Sequence, residues 1–138
     1  SAMATRMASW IELGSQDRWA EFFNRMAVQM KPAGSATAEA FAVAARFQPK
    51  PATPERFLAE LRTTLDPSSF VTDRLGEIDV PALILGGEDQ VVPPASTRLV
   101  AERIPGARLE IDPDCGHTVR SSFTGYDALV EAFLAEGD

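Results

Sequence analysis

The stretch VPALILGGEDQVVPP, residues 80–94, decides how the rest of the chain is read. It opens as a short unbroken apolar run, the pattern of a parallel strand buried on both faces. The run stops at Gly86 and Gly87, and two carboxylates, Glu88 and Asp89, stand at its end. Just beyond, PASTRLVAERIPG (94–106) reads as a helix stopped by Pro105-Gly106, with Leu99, Val100, Arg103 and Ile104 on its inner side. ARLEID (107–112) is a second strand. The loop PDCGHTVRSS (113–122) holds His117, the only histidine, and YDALVEAFLAEGD (126–138) closes the chain as an amphipathic helix with Tyr126, Leu129, Val130, Phe133 and Leu134 inward.

A strand–helix–strand unit of this length makes the two strands parallel and the connection right-handed. Asp89 and His117 then leave the same end of adjacent strands, which is where open parallel sheets place ligands and chemistry. A carboxylate there accepts the Nδ1–H of the imidazole, fixes its tautomer, and stabilises the imidazolium formed when Nε2 takes a proton. Gly86 and Gly87 are expected to permit a sharp turn out of the sheet, and Gly116 to let the loop pass closely and aim His117 inward.

Residues upstream read as helices. QDRWAEFFNRMAVQM (16–30) spaces Trp19, Phe22, Phe23, Met26 and Met30 three or four apart, a greasy stripe that Ser15 can cap. KPAGS (31–35) breaks it, and an Ala-rich helix follows over 36–47. Thr53 and Pro54 start a third helix whose face is Phe57, Leu58, Leu61 and Leu65; Asp66 and Pro67 open a short fourth. Ser1-Ala2-Met3 has the look of a vector remnant, and no element is read before residue 16. The fold class is therefore α/β: a helical region over 1–72, then a strand–helix–strand–helix unit with parallel strands over 73–138.

The totals narrow the function. A chain of 138 residues, 45% hydrophobic, supports one core of ordinary size. Its net charge of −7 argues against nucleic acid or an anionic membrane as partner. The charge is uneven: residues 1–70 carry eight Lys/Arg against seven Asp/Glu, and residues 71–138 five against thirteen. One cysteine, Cys115, forms no internal disulfide, and no Cys/His cluster has zinc spacing. No metal and no cofactor are expected, and the expected compartment is the cytoplasm. No apolar run nears the ~18–20 residues needed to span a bilayer.

VPALILGGEDQVVPP, then IPGARLEIDPDCGHT, then a closing helix, resembles the C-terminal part of the α/β-hydrolase superfamily. In that family the acid of a Ser–His–Asp triad follows a core strand in a Gly-x-x-Asp-x-hydrophobic-x-Pro setting, matched by Gly86 to Pro93, and the histidine follows a glycine, matched by Gly116-His117. The resemblance implies Asp89 as triad acid, His117 as triad base, and the helices before Val80 as a cap or lid. It also implies a nucleophile in a Gly-x-Ser-x-Gly elbow, and no pair of glycines in this sequence brackets a serine that way. The expectation is a C-terminal fragment or split half of a cofactor-free hydrolase of small acyl compounds such as esters, lactones or thioesters. Its Ser would come from a missing N-terminal half, and this chain alone would be inactive. The alternative is a non-catalytic, hydrolase-derived module for self-association or partner binding. The first strand's exposed edge points to a homo-oligomer in either case.

Each residue also has a plainer reading. Asp89 fits a turn former before the 94–104 helix. Glu88, the rival acid, fits a solvated loop position, and His117 alone would fit a hydrogen-bonded loop residue. Cys115 fits a small loop or core residue with no base to serve it. Ser15 and Ser35 follow glycines but read as helix caps, and the Trp19–Met30 stripe reads first as core.

Overall fold

The computed structural model describes residues 2–136. Four helices come first: α1 (Ala2–Ser15), α2 (Trp19–Gln29), α3 (Ala36–Ala45) and α4 (Pro54–Thr63). Two 3₁₀ turns, Pro67–Ser69 and Thr72–Glu77, lead into β1 (Leu83–Gly87), α5 (Pro94–Arg103), β2 (Arg108–Asp112), the short α6 (Val119–Ser122) and α7 (Tyr126–Ala135). The expected α/β class and the strand–helix–strand–helix order are as read. The expected fourth helix is only the first 3₁₀ turn, held by the Ser68 N–H on Asp66 Oδ1 at 2.9 Å.

The element missing from the sequence reading is α1. Its apolar residues Met3, Met7, Trp10 and Leu13 recur at helical spacing, and the last three are buried in the main core. Its end also corrects the expected start of α2. Asp17 takes φ 61°, the Arg18 N–H bonds Leu13 O at 2.9 Å, and the Asp17 N–H bonds Gly14 O at 3.1 Å. This is a Schellman ending built on an aspartate, one of the few residue types that tolerate the left-handed conformation. Ser15 thus finishes α1 instead of capping α2, which has Arg18 at its N-cap and no side-chain cap bond. Asp17 secures the corner further: it accepts from Trp19 Nε1 at 2.8 Å and pairs with Lys50 Nζ at 2.6 Å. Its pKa is lowered, chiefly by the bond from Lys50 and then by that from Trp19.

The stripe on α2 is core, as its plainer reading held. Trp19 and Phe22 are buried with Met7, Trp10, Leu13, Leu58 and Val91, and Phe23, Met26 and Met30 pack against them. Phe22 is fully enclosed, its ring 5.3 Å from Trp19 and 5.7 Å from Phe57 between centroids, the latter edge-on. Such tilted and edge-on pairs satisfy the ring quadrupoles while burying large apolar area. On α3, Ser35 is the N-cap, its Oγ accepting from the Ala38 N–H at 3.3 Å.

β1 and β2 run parallel in register from Leu83 opposite Arg108 to Gly87 opposite Asp112. They form a two-stranded sheet, and among the described residues β1 pairs with β2 alone. The expectation of a strand buried on both faces fails for its first part: Leu83, Ile84 and Leu85 are half-buried, and only Gly86 and Gly87 are buried. The glycines also act differently from expectation. Neither has positive φ; both lie inside β1, where they allow close approach. A Cβ on Gly86 would lie 2.7 Å from Thr97 Cγ2, and one on Gly87 would lie 2.2 Å from Cys115 O.

Thr97 on Gly86 also sets the phase of α5. The inward stripe is Thr97, Val100, Ala101 and Ile104, which follows the i, i+3, i+4, i+7 pattern of a packed helix. Leu99 is exposed, and Arg103 turns out to the Thr72 carbonyl at 3.2 Å, so neither belongs on the inner side where the sequence had put them. On α7, Tyr126, Leu129, Val130 and Phe133 are half-buried while Leu134 is exposed, and residues 137 and 138 lie outside the described residues. The large side chains thus bury most deeply among the helices of the first half.

Phe22→Ala is expected to lower stability by about 3–5 kcal/mol, the usual cost of emptying an aromatic site in a packed core. Urea denaturation followed by tryptophan fluorescence measures it, and a loss below about 1 kcal/mol would show that this aromatic cluster is not the core of the folded chain.

Candidate active site

Asp89 stands two residues past the end of β1, and His117 five past the end of β2. The parallel register brings both strand ends level, so the two loops meet. Asp89 is buried, with 6% of its surface exposed. Its Oδ1 accepts the Val91 N–H at 2.7 Å, and its Oδ2 is hydrogen-bonded to Nδ1 of His117. Asp89 thus closes its own turn through one oxygen and bonds the imidazole through the other. Holding its own loop with Oδ1 aims Oδ2 at the imidazole.

His117 is about one-third exposed, and its Nε2 meets no hydrogen-bond partner among the described residues. The bond from Asp89 raises the imidazole pKa, and partial burial opposes that rise. Beside the pair is a cavity of about 170 Å³, walled by Leu85, Val92, Thr97 and Val119. The arrangement suits one kind of chemistry: a proton taken up at Nε2, with the imidazolium held by a buried carboxylate.

Two further supports had not been read from the sequence. One is Asp112, the buried last residue of β2. It accepts the Asp114 N–H at 2.9 Å and the Thr124 N–H at 2.7 Å, tying both ends of the histidine loop to the sheet. These backbone donors lower its pKa, Thr124 most. An Asp-Pro-Asp turn at 112–114 was the available signal. The other is the C-terminal end of α2. Met30 O accepts the His117 N–H at 2.8 Å, and Gln29 O accepts the Gln90 N–H at 3.2 Å. The Gln29 side chain is itself held by Trp10 Nε1 at 2.7 Å. Gly116 fits here by contact, since a Cβ would lie 2.6 Å from Met30 O.

The remaining candidates lie apart from this pair. Glu88 is exposed. Cys115 is fully buried, its Sγ donating to Gly116 O at 3.3 Å and lying 3.2 Å from Ser122 Oγ. Ser15 sits beside Arg62, and Ser35 caps α3. Among the described residues no three His, Cys, Asp or Glu side chains gather as metal ligands would. No described helix is long and apolar enough to cross a membrane.

Known proteins share this architecture. A bromoperoxidase from Bacillus anthracis superposes with a TM-score of 0.72 over 94% of this chain and 48% of its own, at 19% identity. Est816, an N-acyl homoserine lactone degrading enzyme, superposes with a TM-score of 0.67 over 96% of this chain and 54% of its own, at 25% identity. The fold is that of the α/β-hydrolases. This chain spans about half the length of the solved structures it matches. A 46-residue stretch is also 41% identical to proline iminopeptidase of Lactobacillus delbrueckii subsp. lactis, covering 33% of this chain and 16% of that protein. No family model matches the sequence.

As the only histidine, His117 gives a single Hε1 signal whose titration reads the pair directly. Its midpoint is expected above the ordinary ~6.5 and is expected to fall in Asp89→Asn. The sign follows for stability. With the folded pKa above the unfolded one, the pair's contribution is full below pH ~6.5 and is lost as pH rises through the folded pKa. The stability gap between the native chain and Asp89→Asn should therefore shrink with rising pH. Equal midpoints in the two proteins would mean that the pair is not formed in solution.

Proposed function

We propose that this chain is the C-terminal, base- and acid-bearing part of a cofactor-free serine hydrolase acting on small acyl compounds such as esters, lactones or thioesters. The observation that carries the reading is the Asp89 Oδ2–His117 Nδ1 hydrogen bond between two parallel strand ends. Nε2 has no partner among the described residues and is free to take the proton of an attacking hydroxyl. The superposition with a lactone-degrading enzyme supports the acyl class. In this reading residues 1–72 form the cap or lid and 73–138 part of the catalytic core. The nucleophilic Ser and the oxyanion donors come from a complementary N-terminal half. A cytoplasmic setting fits the lone buried cysteine.

The chain by itself is expected to take no stoichiometric label from a fluorophosphonate probe; full labelling would reveal a nucleophile within it. The coding sequence upstream of residue 4, or a neighbouring gene, should supply a Gly-x-Ser-x-Gly elbow. In the protein completed by it, Asp89→Asn and His117→Asn should each cut kcat by about 10³–10⁴-fold, with activity rising as pH passes the His117 pKa.

A second reading, a non-catalytic module that associates with itself, draws on a different observation. The outer edge of β1 carries no partner strand among the described residues, its Leu83–Leu85 segment is half-buried, and Val80 beside it is exposed. An unpaired apolar edge is a template for another chain, and a two-fold axis would let two copies cover it. Size-exclusion chromatography with light scattering should then give a homodimer or larger species for the purified chain. A monomer at micromolar concentration would rule self-association out.

A further inference from the structure

A second cavity, larger than the one beside the dyad, lies between α2 and α3. It measures about 330 Å³ and is walled by Phe23, Met26, Met30 and Phe41. Its lining reaches the histidine loop at Thr118, the residue after His117. Its volume lies at the lower end of small-molecule pocket sizes. Its lining carries one charged group, Lys31.

The placement of Lys31 is unusual for this chain. There are two lysines and twenty carboxylates. Lys50 pairs with Asp17 at 2.6 Å. Lys31 pairs with no carboxylate among the described residues, and its Nζ instead lies 4.1 Å from the centroid of the Phe41 ring. Its stem is pinned against the histidine loop: a Cβ on Gly116 would lie 3.2 Å from Lys31 Cα and 3.4 Å from its Cδ. An ammonium beside an aromatic face retains donors for an anion, since the ring occupies only one side of it. Gln48 and Thr118, both exposed, also border the cavity.

We propose that this cavity binds a medium-chain carboxylate, with the apolar chain among Phe23, Met26, Met30 and Phe41 and the carboxylate on Lys31. A single ammonium at the edge of an apolar cavity matches one negative charge at the end of an apolar chain, which a carboxylate supplies and a doubly charged phosphate exceeds. Taken with the dyad reading, on which this step rests, the substrate class narrows to acyl compounds that carry a free carboxylate as well as an apolar part.

Octanoate and octanol separate the charge from the chain, and calorimetry together with ¹³C-methyl methionine spectra reads both affinity and place. Octanoate is expected to shift the Met26 and Met30 methyls and to spare Met7, which is buried in the core. Lys31→Met, which keeps the apolar stem, should weaken octanoate at least tenfold and leave octanol within twofold. Lys31→Arg, a second variant in case Lys31→Met misfolds, should retain octanoate within about threefold. Octanoate binding no tighter than octanol, unchanged binding in Lys31→Met, or no methyl shift at millimolar ligand would each overturn the proposal. Because the readout is binding, a chain that holds octanoate through Lys31 yet serves no hydrolase fails the dyad reading alone. One that serves a hydrolase but ignores octanoate fails this inference alone.

Discussion

The last carbonyls of a helix have no partner within it, and the use α2 makes of them is the constraint on which the rest of the arrangement depends. Gln29 O takes the N–H of the residue after Asp89, and Met30 O takes the N–H of His117. One helix end thereby sets the position of two loops that leave different strands. The indole of Trp10 holds the Gln29 side chain from the core side, so the main aromatic cluster is linked to the dyad through one glutamine. Burial in the first half and geometry in the second are thus coupled directly. Val91 makes the same link in reverse, since it lies in the acid loop and packs into the helical core.

Much of this was legible because glycines and prolines punctuate the second half. The run ending at Gly86-Gly87 and the break at Pro105-Gly106 mark where β1 and α5 stop, and the strand ends bring Asp89 and His117 together. What was hidden was hidden for physical reasons. The α1 stripe of Met3, Met7, Trp10 and Leu13 was present, but its ending uses Asp17 where a glycine would have flagged the left-handed turn. The phase of α5 depends on Gly86 across the sheet, a tertiary fact that helix periodicity alone does not carry. The cradle at Met30 is made of a backbone carbonyl, which every residue has, so no side-chain pattern announces it.

The distribution of burial separates the two halves. The helical half encloses Trp10, Trp19 and Phe22 almost completely. The strand unit leaves Leu83, Ile84 and Leu85 half-buried, and α7 has no fully buried residue. A two-stranded sheet is marginal without something packed on it, and here α5 and the end of α2 supply part of that packing. The strand unit that carries Asp89 and His117 thus has the shallower core of the two halves.

Cys115 lies where these features converge. Its carbonyl presses on Gly87, its thiol is sealed from solvent, and it comes two residues before the imidazole. Reagent can reach this sulfur only when the histidine loop lifts from the strand beneath it. The thiol is thus a built-in clock for local opening: its alkylation in native buffer runs no faster than the loop departs, and slows with whatever clamps the loop down.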